Sequence, residues 1–141
     1  AVLHTKRIDK ILNNKFKNKK IVFLGVTFKP NTDDMRDSTS LKMVPYVLKK
    51  GATVIYHDPT GEKKEFKKFK NCKYIGNIKD ACKDADLVIL HTEWDEFKSL
   101  DFRKLIKNKK FKIFDLRNLY DFSDMLSKKI NYFSIGRPTI F

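Results

Sequence analysis

A chain of 141 residues with 41% hydrophobic content is long enough for one globular domain around a single core and too short for two domains of ordinary size. No stretch approaches the roughly 18 consecutive apolar residues of a membrane helix, and the opening AVLHTKRIDK lacks the apolar core of a signal peptide, so a soluble cytoplasmic protein with no membrane partner is expected. The net charge of +14 raises nucleic-acid binding; the lysines, however, are scattered through almost every polar stretch beside only five arginines, which reads as a solvated surface and makes a nucleic-acid partner unlikely.

The chain opens on Ala1 rather than Met, as a piece of a longer protein would, and Leu3, Ile8, Ile11 and Leu12 give the segment from Ala1 to about Asn13 a helical apolar spacing. Six strand-like runs follow: 20–26 (KIVFLGV), 52–58, a weaker 73–76, 86–92, 111–116 and 130–136. Most are continuously apolar rather than alternating, the mark of strands buried on both faces of a parallel sheet. Between the first two, Ser38, Thr39 and Ser40 offer N-cap oxygens. Leu41, Val44, Val47 and Leu48 then fall at helical spacing before Gly51. Pro45 inside that pattern predicts a kink or a late helix start. Shorter helices are expected near 77–84, 101–107 and 123–129, giving an α/β, Rossmann-like three-layer domain with a mostly parallel sheet of about six strands.

In such a sheet ligands bind beyond the carboxyl ends of the strands. Those positions hold Thr27 to Arg36 after the first strand, His57 to Pro59 after the second, Thr92 to Trp94 after the fourth, Arg117 and Asn118 after the fifth, and Gly136 to Pro138 after the sixth. Arg36, Arg117 and Arg137 fall in this set. Arginine among so many lysines suits planar, bidentate recognition of phosphate or carboxylate; structural pairs with Asp33, Asp34 or Asp115 account for it equally well. Gly25 is followed by Val26, Thr27 and Phe28, without the further glycines of a dinucleotide fingerprint, so this domain is not expected to hold NAD in the usual way. Cys72 and Cys82 have neither metal-site spacing nor an evident activating base and read as reduced thiols, and His4, His57 and His91 are not spaced for joint metal ligation.

Five motifs occur in order: GVTFKPNTDDMRDS (25–38), GATVIYHDP, DADLVILHTEWDEF, FDLRNLYD and SIGRP. Together they resemble the C-terminal domain of the UDP-glucose and GDP-mannose dehydrogenases over residues 19 to 138, with TEW, RN and IGRP closer to the UDP-glucose branch than to the GDP-mannose or UDP-N-acetylmannosamine branches. The resemblance implies that residues 1–18 are the tail of a central linking helix and its connector, and that 19–141 form a UDP-binding domain. It implies an enzyme that oxidises the C6 alcohol of UDP-glucose to the acid in two hydride transfers to NAD, with an N-terminal domain as the partner that holds most of the cofactor and a homo-oligomeric whole. Phe28 and Lys29 match a pair that contacts the nucleotide sugar. Either Arg117 or Asn118 matches a substrate-contacting position. Arg36 matches an arginine that reaches the cofactor across the domain cleft. For Thr32, Asp33 and Asp34, bracing of the loop and capping of the next helix is favoured over ligand contact, and for Trp94 core packing is favoured. The family's catalytic cysteine lies in a motif like G-F-G-G-S-C-F-P-K-D, which has no counterpart around Cys72 or Cys82, so this chain is expected to bind without catalysing. The UDP-N-acetylmannosamine or GDP-mannose dehydrogenase branch, or a stand-alone nucleotide-binding or nucleic-acid-binding module, is the alternative.

Overall fold

The computed structural model describes residues 2–135. Its elements alternate along the chain: α1 (Val2–Ile11), β1 (Lys20–Leu24), α2 (Ser40–Lys49), β2 (Thr53–His57), β3 (Cys72–Tyr74), α3 (Ile78–Cys82), β4 (Leu87–Leu90), α4 (Phe102–Leu105), β5 (Lys112–Asp115), α5 (Phe122–Ser127) and β6 (Asn131–Ser134). Two one-turn 3-10 helices, Lys64–Phe66 and Asp95–Phe97, interrupt the longer connections. All six strands form one parallel sheet in the order β3-β2-β1-β4-β5-β6.

Successive side chains of a strand point to opposite faces, and the core divides accordingly. Ile21, Phe23, Leu87 and Ile89 pack on one face beneath α1 and α2 through Ile8, Met43, Val44 and Val47. Val22, Leu24, Val88 and Leu90 pack on the other face against Ala81 and Cys82 of α3, Phe102 of α4 and Met125 of α5. Each side chain so removed from water contributes at most about 1.5 to 3 kcal/mol. Helix, sheet and helix thus make the three layers expected.

Helix α2 starts at Ser40 and carries Pro45 at its sixth position, so of the two alternatives expected, a kink or a late start, the late start does not occur. Pro45 lacks the N–H that would reach the Leu41 carbonyl; burial of Met43, Val44 and Val47 holds the helix across that gap. Thr39 occupies the N-cap position without capping, because its hydroxyl is bonded to His91 Nε2 at 2.8 Å. Ser38 Oγ partly substitutes, accepting the Ser40 N–H at 3.3 Å.

The register sets the position of the site. Leu24 lies opposite both His57 and Leu90, Leu90 opposite Asp115, and Asp115 opposite Ser134. The next residues along the chain, Gly25, Asp58, His91, Leu116 and Ile135, therefore leave the sheet at one level. The strand order reverses between β1 and β4, which opens the crevice where ligands of parallel α/β sheets bind.

Candidate functional site

The turn after β1 is built around Gly25, whose φ is +77°. Its N–H donates to the His57 carbonyl at 2.8 Å. Val26 N–H donates to Asp58 Oδ2 at 2.8 Å, while Asp58 Oδ1 accepts the Thr60 N–H at 2.9 Å. The Val26 carbonyl accepts both Ser38 Oγ and Ser40 Oγ at 2.6 Å. Beyond it the loop closes on itself, Phe28 N–H donating to the Asp34 carbonyl at 2.9 Å and Asp34 N–H to Thr32 Oγ1 at 3.2 Å. Thr32 and Asp34 therefore brace the loop; the capping expected of this group is not among their bonds, since α2 begins several residues later.

This loop presents Phe28 and Lys29 to a cleft of about 550 Å³ lined also by His4, Asp37, Thr39, Leu116, Arg117 and Ile135. Arg117 is held from two sides. Its backbone N–H donates to Asp115 Oδ1 at 2.9 Å, and its Nε donates to the His91 carbonyl at 2.8 Å. Its guanidinium thus engages main-chain oxygens, leaving its positive charge without a carboxylate partner among these bonds. Asp115 is fully buried and also accepts Tyr120 N–H at 3.1 Å and Tyr132 Oη–H at 2.6 Å through Oδ2.

His91 is buried beneath the cleft. Thr92 donates its hydroxyl proton to the Thr27 carbonyl at 2.9 Å, so His91 Nδ1–H donates to Thr92 Oγ1 at 3.0 Å and Nε2 accepts from Thr39. Burial first, then the charge of Arg117, holds its pKa down to about 3. The native state therefore keeps His91 neutral, and this contribution to stability is present above pH 6.5 and lost progressively as pH falls from about 6.5 toward 3. Urea titrations across that range are expected to show the loss, and a His91→Asn variant to reduce it between about pH 6.5 and 4.5. A wild-type midpoint that does not move there would remove His91 as a pH-sensitive group. His4 sits at the cleft with its pKa also lowered, by burial first and by Arg117 and Arg7.

Of the residues singled out from the sequence, Phe28, Lys29 and Arg117 share this cleft. Asn118 is exposed, adopts φ +52°, and does not line it. Arg36 lines a second hollow of about 510 Å³ with Asp33, Thr60 and Lys63, and its exposed side chain pairs with Asp34 at 3.0 and 3.1 Å. For this arginine, the carboxylate pair is the arrangement found. Trp94 is buried in the core with Nε1 lacking a hydrogen-bond partner. Gly136, Arg137 and Pro138 lie outside the described residues. His4, Thr39 and Ile135, which the sequence did not mark as site residues, also line the cleft, drawn from α1, the N-cap of α2 and the residue after β6. Cys72 and Cys82 are free, and burial pushes both thiols up to about 12.

Among the described residues, the turn after β1 offers neither a glycine-rich loop nor an open helix N-terminus to a pyrophosphate. The Val26 N–H is used by Asp58 and the approach to α2 is filled by two serine hydroxyls. NAD does not fit as a group resident in this turn.

Residues 22–122 match the model of the UDP-glucose/GDP-mannose dehydrogenase family, UDP binding domain. The UDP-glucose 6-dehydrogenase of Rhizobium meliloti is 40% identical over 120 residues, covering 84% of this chain and 28% of that protein. That of Rickettsia felis is 35% identical over 133 residues, covering 92% and 30%. The structure of an NDP-N-acetyl-D-galactosaminuronic acid dehydrogenase from Methanosarcina mazei superposes with a TM-score of 0.80 over 96% of this chain and 29% of the other, at 24% identity, a likeness of fold. The chain thus spans about 30% of the length of these relatives. No helix among the described residues is long and apolar enough to cross a membrane.

Proposed function

We propose, from the premise that this chain belongs to the UDP-glucose/GDP-mannose dehydrogenase family and matches its UDP binding domain, that it binds the UDP half of a nucleotide sugar as the C-terminal part of an NAD-dependent UDP-glucose 6-dehydrogenase. The observation that carries this is the convergence of Lys29, Arg117 and the half-exposed Phe28 on one cleft at the carboxyl edge of the sheet, with Asp37 the single acidic residue among its described lining. Lys29 supplies a mobile point charge for the diphosphate. Arg117, fixed by its Nε bond to His91, supplies an oriented one. Phe28 offers an aromatic face to the uracil or ribose. Each charge-assisted hydrogen bond contributes about 1.5 to 3 kcal/mol.

In the complete enzyme NAD would supply the hydride acceptor for oxidation of the sugar, and its seat is assigned to the N-terminal domain. Arg36, exposed on the loop after β1, is the residue of this chain assigned to reach the cofactor; to do so it must exchange its pairing with Asp34. Residues 1–18 are assigned as the linking helix and connector. The complete enzyme is proposed to be cytoplasmic and homo-oligomeric.

Calorimetric titration of the full chain with UDP tests the assignment. A dissociation constant in the high micromolar range is expected, because the other half of the site is supplied elsewhere. Lys29→Ala is expected to weaken it about tenfold. No UDP-glucose-dependent NAD reduction is expected from the chain. Absence of binding at millimolar UDP, or wild-type affinity in Lys29→Ala, would overturn the assignment, as would turnover abolished by Cys72→Ser or Cys82→Ser.

A further inference from the structure

Scattered in sequence, the lysines are sorted in space. In a parallel sheet every connection leaves at the carboxyl edge and returns at the amino edge, so the two halves of each connection face opposite ends of the domain. The segments that enter strands, 12–19, 50–52, 68–71, 83–86, 106–111 and 128–130, carry twelve lysines and no arginine against two aspartates. All of those lysines except Lys19 are exposed. The segments that leave strands, 25–39, 58–67, 75–77, 91–101 and 116–121, carry seven basic residues against eleven acidic ones. A lysine-rich composition alone would have charged both edges alike.

We propose that the amino edge of the sheet docks peripherally on an anionic lipid bilayer, with the nucleotide cleft turned away from the surface. Six strands about 4.8 Å apart spread the charge over a front of about 24 Å, well beyond a Debye length of about 8 Å at physiological salt. At its centre Lys15, Lys19, Lys110 and Lys112 line a hollow of about 290 Å³ suited to lipid phosphates. Asp86 within it is engaged by Lys20 N–H and Asn108 Nδ2, both at 2.8 Å. The chemistry favours a bilayer over nucleic acid. Lysine supplies diffuse point charge, whereas bidentate phosphate or base recognition calls for arginine. Single-stranded nucleic acid is gripped by stacking on aromatic rings, and the aromatic residues of these segments, Phe16, Phe69 and Phe111, are buried or partly buried. A polybasic face without a lipid anchor gives reversible attachment. The inference is independent of the ligand assigned to the cleft.

Sedimentation of the full chain with vesicles of about one-third phosphatidylserine, at about 0.15 M salt, tests it. Binding to these vesicles and not to phosphatidylcholine alone is expected. Reversing Lys15, Lys109 and Lys110 to Glu is expected to weaken binding at least about tenfold. Reversing Lys6, Lys42 and Lys79, exposed on α1, α2 and α3, changes net charge equally and is expected to cost less than about twofold. No binding to anionic vesicles overturns the proposal, as do equal losses in the two variants, which would reduce the effect to net charge. Duplex RNA that displaces the vesicles and stays bound at the same salt would make nucleic acid the occupant.

Discussion

Gly25→Ala is expected to destabilise the domain by about 2 to 5 kcal/mol, through two effects at one atom. At φ +77° a side chain costs about 1 to 2 kcal/mol of left-handed strain. A Cβ there would also stand 2.6 Å from Thr92 Cβ, 2.9 Å from its Oγ1 and 3.1 Å from its backbone N. Thr92 cannot swing aside cheaply, because its hydroxyl joins the Thr27 carbonyl to His91. Displacing it would loosen the pairing of the β1 and β4 ends under the cleft. Gly61 provides the control: its φ is +93° and nothing lies within 4 Å of a built Cβ, so Gly61→Ala is expected to cost about 1 to 2 kcal/mol from strain alone. Urea midpoints of the two variants measure the difference. Equal losses would show that the contact with Thr92 is unimportant and that backbone conformation is the whole effect.

The six strands were legible because continuous runs such as KIVFL and LVIL have no other stable place than a sheet covered on both faces. The one-turn helices at Lys64–Phe66 and Asp95–Phe97 were not, since each rests on a single buried phenylalanine and has no period to detect. The lining of the candidate cleft was half legible. Phe28, Lys29 and Arg117 announce themselves by following strands. His4 reaches the cleft only because α1 docks beside β6, where Arg7 Nη2 donates to the Ser134 carbonyl at 3.0 Å. Thr39 read as a cap because its neighbours in sequence are helical; its actual partner, His91, lies 52 residues away. The lysines show the same limit. Their spacing along the chain is irregular, and their edge follows only from the direction of each strand.

Asp115→Ala is expected to have the largest combined effect on stability and binding. Asp115 is fully buried at the end of β5 and accepts from Arg117 N–H, Tyr120 N–H and Tyr132 Oη–H. Removing the carboxylate leaves Arg117 N–H and Tyr120 N–H without an acceptor, while Tyr132 Oη–H keeps the Tyr120 carbonyl at 3.2 Å; at about 1 to 3 kcal/mol for each donor that stays buried and unsatisfied the cost is about 2 to 6 kcal/mol. The same bonds set the turn from which Arg117 enters the cleft, so UDP affinity is expected to fall with stability. Three comparisons separate the effects. Tyr132→Phe removes one donor and is expected to cost about 1 kcal/mol with UDP affinity kept within about twofold. Arg117→Ala is expected to lower affinity about tenfold with little change in the unfolding midpoint. Asp115→Asn retains an oxygen for Arg117 N–H while turning an amide toward the two tyrosine donors, so it is expected to lose stability and keep most of the affinity, which covers the case in which Asp115→Ala fails to fold. Denaturant titration and calorimetry on the same preparations give both quantities. If Asp115→Asn unfolds easily and yet binds no UDP, or if Arg117→Ala binds as wild type, Asp115 is a core acceptor and does not position a ligand-binding arginine.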